Sequence, residues 1–250
     1  MSRIFLLLVA ALKFGKLVPT VLSMVIAIGA YALVYGWRYA VGFVAMLLIH
    51  EMGHYVAARQ RGLHVGLPTF IPFVGAWIEL KSMPHDAETE AYVGLAGPLM
   101  GTVGAIAAWW LVRDGGPNWL LAVAYAGFMI NLFNLIPLPP MDGGRVTAVL
   151  SPRIWLLGVP ILGWMLLTHF SPILLIVAIL AVPHVFAALR FDRASAQAQG
   201  YYAVPARTRW EYGLIYVGLI AFLAYMTNDV DRQLRGLGSA GSAQTQSGDV

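Results

Sequence analysis

The chain has 250 residues, of which 59% are hydrophobic and 11% charged, with a formal net charge of +4 and no cysteine. A composition this apolar cannot clothe a single core in polar side chains, so a soluble globular protein is excluded; the lack of cysteine excludes disulfides and thiolate metal ligands. The basic residues are scattered between apolar runs and not clustered with aromatics on one surface, which argues against a nucleic-acid partner.

Residues 1–16 hold the apolar stretch Ile4 to Leu12 without a small-residue cleavage pattern before Leu17, and are expected to form an N-terminal interfacial segment or a short strand. Charge-free runs follow at Leu17–Trp37, Tyr39–Ile49, Ala91–Val112, Pro117–Met141, Ile154–Leu189 and Tyr212–Asn228. Since about 20 apolar residues cross the hydrocarbon, the chain reads as an all-α polytopic membrane protein of about six to seven transmembrane helices. Residues 17–152 are expected to form a membrane core and 153–235 the C-terminal membrane helices. The Gly, Ser, Ala and Gln-rich stretch 236–250 is expected to be a disordered tail.

Placing Lys13 and Lys16 in the cytoplasm leaves Arg38, Arg113, Arg232 and Arg235 outside and the other Lys and Arg of the 16 inside, a bias that supports this orientation. It requires Ile154–Leu189 to cross twice, in two thin spans of about 16 to 17 residues turning near Ser171-Pro172. Between the second and third spans, Gly62 to Glu90 contains Pro68, Pro72 and an alternation from Ala76 to Lys81. That segment reads as short strands dipping into the membrane, and such backbone must be covered by protein or line a wet cavity.

The second span ends in His50-Glu51-Met52-Gly53-His54. On a helix, residues four apart share a face, so both imidazoles can reach one metal ion, while Glu51 can reach a metal-activated water without being a ligand. Ionisable groups inside a span cost several kcal/mol unless they pair or bind something, which makes function the default reading here. Zinc needs a third protein ligand. The hairpin of the third and fourth spans returns to the cytoplasmic side at Asn134-Leu135-Ile136-Pro137-Leu138-Pro139-Pro140-Met141-Asp142-Gly143-Gly144. There the prolines break the helix, the glycines are expected to permit a tight turn, and Asp142 is the only carboxylate between Gly115 and Pro183. His54 lies about 6 Å below the helix end at Ala58, counting about 1.5 Å per residue, so both elements sit at a shallow cytoplasmic depth.

The HExxH pattern at 50–54, the small-residue stretch around Gly97-Pro98, and Asn134, Pro137, Pro139, Asp142 and Gly143 resemble the site-2 protease family, intramembrane zinc metalloproteases of peptidase family M50. The resemblance implies that His50, His54 and Asp142 hold Zn2+, that Glu51 activates water, and that Asn134 steadies the oxyanion or substrate. It implies cleavage of transmembrane protein substrates near the cytoplasmic face of a bacterial or archaeal inner membrane, and leaves room for a regulatory membrane partner. No stretch is long and polar enough for the PDZ or CBS domains that many members carry.

The alternative function is a membrane metal-ion transporter or binding protein, against which stand Glu51 beside the water position and the absence of inverted-repeat symmetry. A non-catalytic adaptor would not need the ligand set. Two histidines and a carboxylate also describe the iron facial triad, but a helical HExxH favours zinc. Elsewhere, His64 and His85 read as solvated interfacial histidines, and His184 as a bundle histidine or a partner for Asn131. Asn131 reads as an interhelical hydrogen bond, Arg145 as a topology marker with a substrate contact as the alternative, and Gly94, Gly97, Gly101 and Gly104 as a packing ridge.

Overall fold

The computed structural model describes Gly15 and residues 17–246 other than 80 and 193. The expected N-terminal interfacial segment, residues 1–16, therefore lies outside the described residues apart from Gly15. In chain order the elements are α1 (Val18–Tyr35), α2 (Trp37–Gln60), β1 (Thr69–Ile71), β2 (Gly75–Trp77), α3 (Ala87–Arg113), α4 (Trp119–Asn134) and α5 (Asp142–Ala148). A 3-10 turn (Pro152–Leu157), α6 (Gly158–Thr168), α7 (Pro172–Leu189), α8 (Ala196–Tyr201) and α9 (Ala206–Gln246) follow. Among the described residues, α1, α2, α3, α7 and α9 are long and apolar enough to cross a membrane, and α4 and Pro152–Thr168 are shorter apolar helices. The chain is a multi-pass membrane protein with one small two-stranded sheet.

The surface agrees with a lipid solvent. Val21, Leu22, Val25 and Ile26 of α1 and Ile176, Ile179 and Leu180 of α7 are exposed. In water each would forfeit roughly 25 cal/mol per Å2 of burial, a cost that vanishes against acyl chains. The interior is made by α3, α4 and α9, with Ala105, Ala108, Leu121, Ala124 and Phe128 packed against Leu219, Leu223, Met226 and Val230. Tyr216 on α9 donates its hydroxyl to the Leu135 carbonyl, tying that helix to the segment that leads to Asp142. The helix α9 continues to Gln246, into the stretch whose composition suggests disorder.

Local chemistry sets the boundaries that matter for the site. Gly36, at φ +83°, reverses the chain between α1 and α2 in a conformation that other L-residues avoid. Asp86 caps α3 by accepting the Thr89 amide at 2.6 Å, and Glu88 and Glu90 complement the positive end of that helix. The fourth span is shorter than the apolar run Pro117–Met141 suggests: α4 stops at Asn134, because Pro137, Pro139 and Pro140 offer no amide to continue the ladder.

Gly143 and Gly144 do not form the expected tight turn. They lie inside α5 with ordinary helical backbone. What they provide is close approach: a Cβ at 143 would stand 2.3 Å from the Leu135 carbonyl oxygen, and one at 144 would stand 2.2 Å from the Pro139 nitrogen. Pressed against the proline-broken segment in this way, α5 carries Asp142 at its first position. The Trp155 indole then donates to the Gly144 carbonyl at 2.8 Å and closes the far side.

Ile154–Leu189 is a hairpin turning at His169–Ser171, with the Ser171 hydroxyl accepting the Ile173 amide at 3.3 Å. The segment between α2 and α3 is the expected β structure: β1 and β2 pair antiparallel with Phe70 opposite Ala76. Pairing resumes further along, where Gly66 donates to the Glu79 carbonyl at 2.9 Å and Lys81 to the His64 carbonyl at 2.8 Å. The hairpin is strapped to α1, since the Phe70 amide donates to Ser23 Oγ at 3.2 Å and the Phe73 amide to the Tyr31 hydroxyl at 3.0 Å.

Candidate metal centre

His50 and His54 project from one face of α2, and Asp142 opens α5 opposite them. The distances are 3.1 Å between the two Nε2 atoms and 3.2 Å from each to Asp142 Oδ2. All three residues are buried, at 4%, 7% and 8% exposure. The outer ring nitrogens reveal why these atoms face one another. His54 Nδ1 lies 2.7 Å from the Val93 carbonyl, which can only accept, so that nitrogen carries the proton. Asn131 donates its amide nitrogen to the Gly127 carbonyl at 2.7 Å, leaving its oxygen to accept from His50 Nδ1 at 2.8 Å. Each imidazole thus commits its Nδ1–H outward and turns Nε2 toward the centre.

Two Nε2 atoms and a carboxylate oxygen then converge, an arrangement that a single cation joining the three would satisfy. The triangle has the right size for one. With bonds of about 2.0 to 2.1 Å, tetrahedral zinc places its ligand atoms about 3.3 Å apart. Nitrogen, nitrogen and carboxylate oxygen, with a fourth position left open, is the donor set of a catalytic zinc site, and the orienting contacts from Val93 and Asn131 are those that fix ligand tautomers.

The small residues of α3 seat these ligands. A Cβ at Gly97 would lie 2.2 Å from His54 Nε2, and one at Gly101 would lie 2.3 Å from Asn131 Oδ1. At Gly53 the same addition would meet the Ala96 carbonyl at 2.4 Å, so α2 and α3 approach backbone to backbone. The ridge read as helix packing is therefore also the wall of the metal centre.

A cavity of about 360 Å3 opens onto the triad. Glu51, Asn134 and Arg145 line it together with the ligands, and Tyr31, Phe43 and Phe73 contribute an aromatic wall. The β2 strand and Ile78 form another side. Glu51 is buried at 7% exposure, lines the cavity and is not one of the three converging residues. Asn134 ends α4 at the cavity wall, and its side chain makes no hydrogen bond among the described residues.

The remaining sequence candidates separate from the site. His64 and His85 are exposed; His85 Nε2 lies 3.2 Å from Thr89 Oγ1. His184 sits beside the Trp155 ring, 5.9 Å between centroids, and does not meet Asn131. One feature escaped the sequence reading: Asn131 orients a ligand, a role signalled only by its being an amide in an apolar helix. Arg145, for which a substrate contact is the alternative to a topology marker, lines the cavity.

The fold and site together define a class: a polytopic membrane protein with a buried His-His-Asp centre fit for zinc, and a glutamate beside it. Comparison with known proteins agrees. The sequence profile of peptidase family M50 matches residues 38–115, from α2 through α3. It is similar to a zinc metalloprotease of Methanocaldococcus jannaschii, 28% identical over 142 residues, covering 53% of this chain and 41% of the relative. A protein provisionally named a zinc metalloprotease in Mycobacterium tuberculosis is 32% identical over 135 residues, 48% of this chain and 33% of its own length. The chain thus spans less than half the length of these relatives.

Proposed function

We propose that the protein is an intramembrane zinc metalloendopeptidase of the site-2 protease type, cutting membrane-spanning proteins near the cytoplasmic face of a bacterial or archaeal inner membrane. The observation that carries this reading is the convergence of three metal-ligating atoms in a cavity that Glu51 and a strand edge also line. Three residues have the chemistry to hold zinc: His50, His54 and Asp142. When bound there, zinc supplies Lewis acidity toward a peptide carbonyl and lowers the pKa of a water.

The chain's own groups supply the rest. Glu51 takes a proton from water as its oxygen attacks the carbonyl carbon, and returns it to the amine nitrogen as the carbon–nitrogen bond breaks. Asn134 offers an uncommitted amide to the developing oxyanion or to the neighbouring peptide. The cavity brings water to a depth where lipid would exclude it. A substrate helix hides its carbonyls in internal hydrogen bonds, so it must unwind locally before it can be cut.

The strand edge gives the unwound stretch somewhere to go. Glu79 and Lys81 direct their main-chain groups at the 64–66 segment, so by strand alternation those of Ile78, the residue before Glu79, face the other way, and Ile78 lines the cavity. Adding the substrate as a further strand would satisfy them. The principal test is cleavage in reconstituted bilayers. The zinc-loaded protein should release the cytoplasmic part of a single-span substrate, stripping the metal with a chelator should stop release, and restoring zinc should recover it. A metal-stripped protein that still cleaves would sink the proposal. In the same assay Ile78→Pro should lower cleavage about tenfold or more while zinc content stays at the wild-type level, because proline removes an edge donor without touching a ligand. Full activity in that variant would rule out strand addition.

A further inference from the structure

Arg145 stands three residues beyond Asp142 on α5 and shares its face. Its side chain is half-buried and lines the cavity with Glu51, Asn134 and Ile78. Yet it makes no hydrogen bond or ion pair with any described residue. The acidic groups that feel its charge are otherwise engaged or stand apart: Glu90 accepts the Tyr201 hydroxyl at 2.6 Å. Glu51 feels it only through space. A guanidinium at this depth, with its N–H groups uncommitted, is costly unless something enters the cavity to accept from them.

The extended substrate of the preceding section has such acceptors. A strand carries amides and carbonyls on both edges, and the Ile78 edge can satisfy only one of them. At membrane depth the other edge also needs partners, since unsatisfied backbone there costs several kcal/mol per group. Arginine offers five N–H donors in a planar fork and no acceptor, which suits carbonyl oxygens.

Resting on the proteolytic reading above, we propose that Arg145 is a main-chain clamp: its guanidinium donates to carbonyl oxygens on the substrate edge turned away from β2. Recognition of this kind depends on the substrate's ability to unwind and hardly on its side chains. An arginine that instead read an acidic side chain would discriminate between sequences.

The test uses the full chain in bilayers, carrying Glu51→Gln so that substrate binds without turnover. The probes are two single-span peptides that differ only in whether the unwound stretch contains an aspartate. Adding Arg145→Met should weaken binding of both peptides alike, by about 10- to 100-fold, the range expected for losing charge-assisted hydrogen bonds in a shielded site. Arg145→Lys should restore part of the loss equally for both. Zinc content, measured on each variant, should not change, which separates a lost clamp from a damaged fold. Loss confined to the aspartate-bearing peptide, or unchanged affinity for both, would overturn the proposal. Failure of the proteolytic reading appears separately: the Arg145 variants without the Glu51 change would then share with wild type an inability to cleave either peptide.

Discussion

Glu51→Gln is expected to leave zinc content at the wild-type level and to lower kcat by about 100- to 10,000-fold, the contribution typical of a positioned general acid–base. The side chain is buried beside the triad and is not one of the three atoms that converge on the metal position. Replacing its carboxylate by an isosteric amide removes a base without removing a ligand or opening a void. Metal analysis of the purified variant, with single-turnover cleavage of a bilayer-embedded substrate, measures both halves. The same variant separates the rival function: a transporter would keep most of its zinc flux when Glu51 becomes glutamine, whereas a protease keeps its metal and loses its turnover. Loss of zinc from this variant would mean that Glu51 is a ligand.

Gly97→Ala is expected to empty the metal centre. In a helix interior, glycine to alanine ordinarily stabilises by about 1 kcal/mol, so any loss must come from what the added methyl meets. At 97 it would lie 2.2 Å from His54 Nε2 and 2.4 Å from Cε1 of the same ring, and the ring cannot retreat without breaking its 2.7 Å bond to the Val93 carbonyl. The ligand must swing away, and zinc stoichiometry should fall from about one to near zero. The comparison within the same helix is Gly104→Ala. There the nearest atoms are Ile49 Cδ1 at 3.1 Å and Ile49 Cγ2 at 3.2 Å, the ends of a flexible side chain that can shift. That variant should keep its zinc. Equal zinc content in the two variants would refute the view that Gly97 seats a ligand.

The wall of the metal centre thus depends on residues that contribute no donor atom. Gly97 and Gly101 are read from sequence as a ridge for helix packing, and packing is indeed what they do, but the surfaces they admit are His54 and the Asn131 amide. Asn131 follows the same logic. As one polar residue in an apolar helix it signals an interhelical bond, and only the fold reveals that the bond ends on His50 Nδ1 and fixes which nitrogen faces the metal position.

Much of this protein was legible without coordinates, and for physical reasons. Runs of apolar residues long enough to cross lipid report themselves by length, because no other environment accepts them. The pair His50 and His54 is local: helical periodicity alone places both rings on one face, whatever the rest of the chain does. Prolines at 137, 139 and 140 end a helix by lacking a donor, which again needs no knowledge of neighbours. What lies beyond local rules was decided by tertiary structure. Asp142 is 88 residues from His54, and it reaches 3.2 Å from that ring only because glycines 143 and 144 allow α5 to press against the carbonyls and prolines before it. Gly143 and Gly144 look like turn residues in sequence and prove to be contact residues, since a missing Cβ serves either purpose and only the surroundings choose. Arg145 looks like a topology marker because charge at a helix end is sequence-visible, whereas facing a cavity with no partner is a property of the assembled walls. Sequence periodicity set the elements and two of the three metal-facing atoms; the approach of separate helices set the third, the tautomers and the space around them.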